Sequence, residues 1–304
     1  MVYQTTIARP VEIAGIGLHT AVPARLRLVP APAGTGIVFR RTDLDDFQIE
    51  ARAENVARVS YATSLMKRGV LISTTEHLLA ALYACGIDNI IVELDAIEVP
   101  ILDGSSQPFI ELLARAGLRR LRRRRRYLQV LRPLEVAEDG RRICIAPAET
   151  FSIRCFIDFP HPRIGAQQVE LCVHRESFAR ELAPARTFGF LDDVERLRAL
   201  GLIRGGSLQN AIVLTRDGIL NDGLRFPDEF VRHKALDLIG DLALLGWPLL
   251  GRVEAHKAGH ALHVALVSRL LADRSLWKLT TADEREDTVR RTGHRGRHAL
   301  PAAP

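Results

Sequence analysis

The chain has 304 residues, 47% of them hydrophobic, enough for one large domain or two ordinary ones. It has no run of 18 apolar residues, which excludes a membrane-spanning helix, and its start, MVYQTTIARPVEIAG, lacks the basic-then-apolar pattern of a secretory leader. The net charge of +6 comes from two segments: seven arginines lie in 119–126 and five in 285–298, and without these twelve and Glu286 and Asp287, 30 basic residues face 34 acidic ones.

The chain opens with segments that alternate or run apolar. Residues 2–9, 23–30 and 36–41 read as strands, separated by the turns GIGLHT (15–20) and PAPAGTG (30–36). STTEHLLAALYACG at 73–86 predicts a helix with a hydroxyl N-cap and a glycine stop. NIIVEL at 89–94 is a strand, and DGSSQPFIELLARAG at 103–117 is a turn into a second glycine-closed helix. RRLRRRRR at 119–126 follows, with only Tyr127 as an aromatic neighbour. Nucleic-acid binders spread their cations over a groove and interleave aromatics, so no nucleic-acid partner is expected. The run reads as a solvated linker or helix end, and weak contact with an anionic membrane surface is its alternative.

Beyond it the pattern restarts. Strands are expected at 128–136, 142–146, 151–158 and 168–174. ARTFGFLDDVERLRALG at 185–201 is a loop and a helix, with Asp192 and Asp193 suited to its first turn. A tight GGS at 205–207, a strand at 210–214, a helix at 228–246, a strand at 249–254 and a helix at 259–273 complete the order. Two halves with similar element order predict an α+β fold of two similar layered domains, each a small sheet packed with helices, with the active site at their interface. The expected division is 1–118, an Arg-rich linker 119–127, 128–283, and a basic, disordered tail 284–304. Cys85, Cys144, Cys155 and Cys172 form no CxxC pair. They read as small buried residues of a reducing cytoplasm, with no disulfide or metal role.

The chemistry concentrates in RHKALDLIGDL at 232–242. Leu236, Leu238, Ile239 and Leu242 give the helix an apolar face, while His233, Asp237 and Asp241 are spaced four apart on the other. An imidazole and a carboxylate at i, i+4 can reach one divalent cation. A solvated face with a His–Asp contact is the ordinary reading. Glu76-His77 lies at the start of the 73–86 helix. Ser73-x-x-Glu76 fits a capping box, but a carboxylate beside an imidazole also suits zinc hydrolysis, one ligating and the other taking a proton from water. His77 with His233 and Asp237 is the three-ligand set of a catalytic zinc site. In Lys257-Ala-Gly-His260, His260 is a turn residue or, held charged by Asp241, a general acid.

TTEHLLAAL, GIDNI, PILDGSSQPF, ARTFGF, GLRFPDEFVRHKALDLIGDL and KAGHAL together resemble the UDP-3-O-acyl-N-acetylglucosamine deacetylase family, zinc enzymes of lipid A synthesis in Gram-negative bacteria. The likeness runs from about residue 3 to about 280, leaving the Arg run and the tail outside. It implies two α+β domains with the site between them, and one Zn2+ per chain on His77, His233 and Asp237. It also implies hydrolysis of the substrate's acetamide by zinc-activated water, with Glu76 as general base and His260, oriented by Asp241, as general acid. Thr187 would donate to the oxyanion. Lys234 and Lys257 would face the diphosphate or sugar of the UDP-acyl-sugar, and Phe188, Phe190, Val194 and Ile203 would line a passage for the acyl chain. A monomeric cytoplasmic enzyme is expected. Some members carry a cysteine near positions 61–64 for a second, inhibitory zinc. Here Tyr61-Ala62-Thr63-Ser64 offers no thiolate.

Overall fold

A computed structural model of the chain describes residues 2–59, 61–282 and 284. The first half contains β1 (Tyr3–Ile7), β2 (Val11–Ile16), β3 (Pro23–Pro30), β4 (Ile37–Arg41), β5 (Phe47–Glu50), β6 (Val56–Arg58), β7 (Ser64–Lys67) and β8 (Val70–Ile72). It continues with α1 (Glu76–Ala84), β9 (Ile90–Leu94), α2 (Gln107–Ala116) and β10 (Leu118–Arg124). The second half holds β11 (Arg126–Val130), β12 (Leu134–Glu138), β13 (Arg141–Ala146), β14 (Phe151–Phe159), β15 (Gly165–Cys172) and α3 (Arg175–Glu181). There follow β16 (Phe188–Phe190), α4 (Leu191–Ala199), β17 (Ile212–Leu214), α5 (Glu229–Leu242), β18 (Leu249–His256), α6 (His260–Ala272) and β19 (Trp277–Thr281).

The chain is α+β, as expected. β2, β3, β9, β4 and β5 form one sheet in that order, β6–β8 form a small second one, and β1 pairs with β10. In the second half β18 is the hub. It runs parallel to β14 and β11 and antiparallel to β13, so Leu249–His256 is flanked on both edges and reads apolar at alternate positions. No sheet among the described residues mixes strands from before and after Arg125. The halves meet through helices instead: α1 packs along α5, and one buried apolar cluster runs from Ile7 to Trp277 through Leu78, Leu82, Leu238 and Leu242. The close approach needs Gly240 on α5, because a Cβ there would lie 2.2 Å from the Glu76 carbonyl oxygen at the start of α1.

Three expectations are corrected. Residues 118–124 are a strand, not a linker. β10 pairs antiparallel with β1 (Ile7↔Leu118, Thr5↔Arg120, Tyr3↔Arg124), and the guanidiniums of Arg120 and Arg124 each lie 4.8 Å from the Tyr3 ring centre. The partner strand and its aromatic supply what the apolar pattern lacks. The Ser73–Glu76 capping box is not formed: Glu76 turns inward, and Thr75 is the N-cap, with no side-chain cap bond. Of the cysteines, Cys85 and Cys155 are buried, but Cys172 is exposed near the end of β15. All four are free. The expected disorder of the tail from 285 onward lies outside the described residues. No helix among the described residues is long and apolar enough to cross a membrane.

Candidate active site

The site forms where the start of α1 meets the middle of α5. Glu76 and His77 open α1, and His233, Asp237 and Asp241 follow at four-residue spacing on α5, all at most 4% exposed. His233 Nδ1 lies 3.0 Å from the Ala185 carbonyl oxygen, so this nitrogen donates and Nε2 carries the free lone pair. That Nε2 is 3.4 Å from Asp237 Oδ1, and His77 Nε2 is 3.7 Å from the same oxygen. The ligand atoms of His77, His233 and Asp237 all lie within 4.8 Å of one another. Asp237 Oδ1 is buried and has no hydrogen-bond partner, which in a native interior calls for an ion or water. Burial, with the neighbouring His233, pushes His77 down to about 3, and burial lowers His233 as well. Both imidazoles are therefore neutral near pH 7, the form that binds a metal. Burial works against the Asp237 carboxylate, but its neighbours, with Lys234 and His260 carrying the positive charge near pH 7, outweigh it and hold it well below the usual range. Two neutral imidazoles, a carboxylate and an orphaned oxygen fit a divalent cation, with three protein ligands as in a catalytic zinc centre.

Glu76 lies beside this set. Its Oε2 accepts the Thr63 backbone N–H at 3.1 Å, while Thr63 clamps the start of α1 by accepting from Thr75. Burial first, and then the charges of Asp237 and Asp241, raise Glu76 to about 7 against the pull of His260. Asp241 accepts from three groups: the Thr63 hydroxyl (2.6 Å), His260 Nδ1 (2.7 Å) and His263 Nδ1 (2.8 Å). Burial alone would lower His260, but the charge of Asp241 and its hydrogen bond carry it up to about 9. Its Nε2 lies 3.9 Å from Asp237 Oδ2, so the protonated edge faces the ligand set. Asp241, His260 and His263 also converge closely enough to hold an ion; here the Asp241 carboxylate and both Nδ1 atoms are engaged with one another, while the buried His263 Nε2 has no hydrogen-bond partner.

Glu229, fully buried in the first turn of α5, accepts from the backbone N–H and guanidinium of Arg186 and from the Arg225 N–H. It thereby fixes the loop that carries Ala185 and Thr187. Thr187, Phe188, Phe190, Val194 and Ile203 come together as lining of one cavity of about 420 Å³, completed by Leu18 and His19 of the 15–20 turn. That turn is held by buried Glu98, which accepts from the His19 and Thr20 N–H groups and from the Thr20 and Thr74 hydroxyls. Lys234 Nζ bonds Asp237 Oδ2 at 2.8 Å, and Lys257 Nζ holds Asp158 at 2.7 Å.

Sequence reasoning singles out neither His263, Thr63, Glu98 nor Glu229. His263 had a signal, one helical turn after His260. The other three act on groups, backbone and side chain alike, that only the tertiary structure brings near.

A sequence profile of the UDP-3-O-acyl N-acetylglycosamine deacetylase (LpxC) family matches residues 4–272. The chain belongs to this family. It is 58% identical over 285 residues to the UDP-3-O-acyl-N-acetylglucosamine deacetylase of Solibacter usitatus, covering 93% of this chain and 96% of the relative. The enzymes of the same name from Syntrophotalea carbinolica (46% identical; 93% of each chain) and Myxococcus xanthus (48%; 93% of this chain, 91% of the relative) are also similar. The buried His77–His233–Asp237 set, Glu76 and the His260–Asp241 pair all lie inside the matched span.

Proposed function

We propose that the chain is a zinc-dependent hydrolase that removes the N-acetyl group of UDP-3-O-(3-hydroxyacyl)-N-acetylglucosamine, an early committed step of lipid A synthesis. The observation that carries this reading is the orphaned, buried Asp237 Oδ1 between two neutral imidazoles, next to a carboxylate raised to about 7 and an imidazole raised to about 9. One Zn2+ on His77, His233 and Asp237 supplies Lewis-acid chemistry, making a water nucleophilic and polarising the acetamide carbonyl.

The chain's own groups do the rest. Glu76, deprotonated, takes the proton of the attacking water. Thr187 donates its hydroxyl to the oxyanion of the tetrahedral intermediate. His260, charged by virtue of Asp241, gives its Nε2 proton to the departing nitrogen, the C–N bond breaks, and acetate and the free 2-amino sugar remain. Thr63 and His263 hold Asp241, and so act as positioning residues. Lys234 and Lys257 face the sugar and diphosphate, and the cavity of Phe188, Phe190, Val194 and Ile203 takes the acyl chain. The division at 1–118 and 128–283, which belongs to the same proposal, assigns Glu76 and His77 to one domain and the other catalytic groups to the second. The enzyme works as a cytoplasmic monomer.

Acetate release from the UDP-acyl-sugar, with and without a chelator, tests the reading. Release should stop on chelation and return with about one equivalent of zinc. A plain N-acetyl sugar should turn over poorly. Equal turnover of both would favour a zinc amidohydrolase acting on another amide, and activity indifferent to chelation would overturn the metal.

A further inference from the structure

A second cleft lies at the opposite ends of the two catalytic helices. Tyr83 lines it, seven residues or ~10 Å along α1 from Glu76, and so do Ala243 and Gly246 just past the end of α5. Its volume is about 120 Å³. Four arginines enter it, Arg52, Arg123, Arg125 and Arg126, against the single carboxylate of Asp88. Asp88 is already taken by Arg125 Nε at 2.8 Å and by the Thr5 N–H. Arg123 and Arg126 are exposed on the cleft side and have no ion pair among the described residues. Arg52 is half-buried, its guanidinium 4.6 Å from the Trp247 ring centre and in contact with the Leu245 carbonyl. Burial lowers its pKa, Arg126 adds to that, and Glu54 and Glu50 oppose it. Glu50 is itself neutralised by Lys67 at 2.7 Å.

Three guanidiniums in one concavity, two of them without an ion pair among the described residues and the third opposed by Glu54, repel one another, and arginines from separate elements do not converge on a cleft for the sake of the fold. A planar fork with paired N–H donors matches the oxygens of phosphate. The partly desolvated surroundings, with Trp247 as one wall, strengthen such contacts over those on an open surface. We propose that this cleft is a second ligand site, separate from the metal centre, that takes a phosphate or diphosphate group, with Arg52, Arg123 and Arg126 as its cationic walls. Strand β10 supplies Arg123 from the first half, and Trp247 and Pro248 come from the second, so a bound anion bridges both halves. The group could be carried by a soluble phosphate ester or by the headgroup of an anionic lipid. Both present the same oxygens.

Of the two tryptophans of the chain, Trp247 lines this cleft and the Trp277 ring centre lies 5.8 Å from that of Trp247, so the emission of Trp247 reports on the cleft. The full-length, metal-loaded protein is titrated with pyrophosphate in one arm and with phosphatidylglycerol vesicles, against phosphatidylcholine vesicles, in the other. A saturable emission change is expected in at least one arm, with a rise in melting temperature at saturation. Pyrophosphate alone assigns a soluble ligand, and phosphatidylglycerol alone assigns a lipid headgroup. Arg123→Gln with Arg126→Gln should weaken binding at least tenfold and leave basal deacetylation unchanged. Arg119→Gln with Arg122→Gln, exposed on the strand that carries Arg123 but outside the cleft, should change binding less than twofold. No saturable response in either arm overturns the site. Equal weakening by both pairs also overturns it, because the binding would then be diffuse attraction to the strand.

Discussion

At the scale of single residues, the proposed mechanism separates metal holding from proton transfer. His233→Ala or Asp237→Ala removes one of the three proposed protein ligands, so each should lose zinc together with activity, as metal analysis of the purified variants would reveal. Glu76→Ala removes no ligand. It should keep zinc and lose rate by ~10²–10⁴-fold, the range for a general acid–base group. Zinc loss in that variant would overturn the division of roles. The pH profile follows from the same groups. The Glu76 carboxyl, raised to about 7 without metal, moves lower beside a bound cation, so kcat/KM should rise through a limb below pH 7 that belongs to the coupled unit. It should fall again as pH rises through about 9, where His260 loses its proton. Asp241→Asn should shift that basic limb to lower pH, and His260→Ala should abolish it. A basic limb unchanged by His260→Ala would remove His260 as the acid. Stability obeys the same sign. The raised His260 contributes fully below its ordinary 6.5 and ceases to contribute as pH passes about 9. Melting temperatures of metal-free wild type and His260→Gln should therefore converge above that pH.

At the scale of elements, what brings the two catalytic helices together is a glycine rather than a ligand. A Cβ at residue 240 would meet the Glu76 carbonyl oxygen at 2.2 Å and its Cα at 3.0 Å, all backbone and none of it free to swing aside. Gly240→Ala improves helix propensity on paper. It should nonetheless destabilise the protein by ~1–3 kcal/mol, the usual cost of overpacking, and lower zinc occupancy by moving His77 off His233 and Asp237. Thermal melts and zinc content would check this, and a variant as stable and as metal-replete as wild type would show that the helices can part freely. The convergent set of His77, His233 and Asp237 was legible because α5 carries two of its members at helical spacing, and an i, i+4 row of His and Asp survives any choice of tertiary fold. The Arg run was not legible as a strand, since its pairing is written in β1, more than a hundred residues earlier. Helix α3 was missed for another reason. His174 forms its capping box with Ser177, with the ring nitrogen accepting from the Ser177 N–H, and this pairing lies outside the S/T-x-x-E pattern. Strand β19, WKLTT, is only five residues long, too short for its alternation to stand out in the sequence, and is set by its pairing with β11.

At the scale of the whole molecule, the cavity proposed for the acyl chain shows what the two halves achieve jointly. Leu18 and His19 come from a turn of the first half, and Phe188, Phe190, Val194 and Ile203 from a loop, a short strand and a helix of the second. None of these four second-half residues is fully buried, as ordinary core residues would be. Phe188 also packs edge-on against Phe230 of α5 at 5.0 Å and near His233 at 6.4 Å, which ties the cavity wall to α5. Each methylene buried in such a passage is worth up to ~0.8 kcal/mol, or roughly fourfold in affinity. Shortening the substrate's acyl chain should therefore lower kcat/KM in steps until the cavity is empty, with part of the loss in kcat if remote binding positions the amide. Val194→Phe adds bulk on α4 within the cavity, well away in sequence from every ligand. It should shift the preference to shorter chains at unchanged zinc content. The measurement is kcat/KM across a series of chain lengths for both proteins. A flat profile in the wild type would mean that the cavity does not hold the chain. A stepped wild-type profile that Val194→Phe leaves unaltered would place the chain along another wall, away from α4.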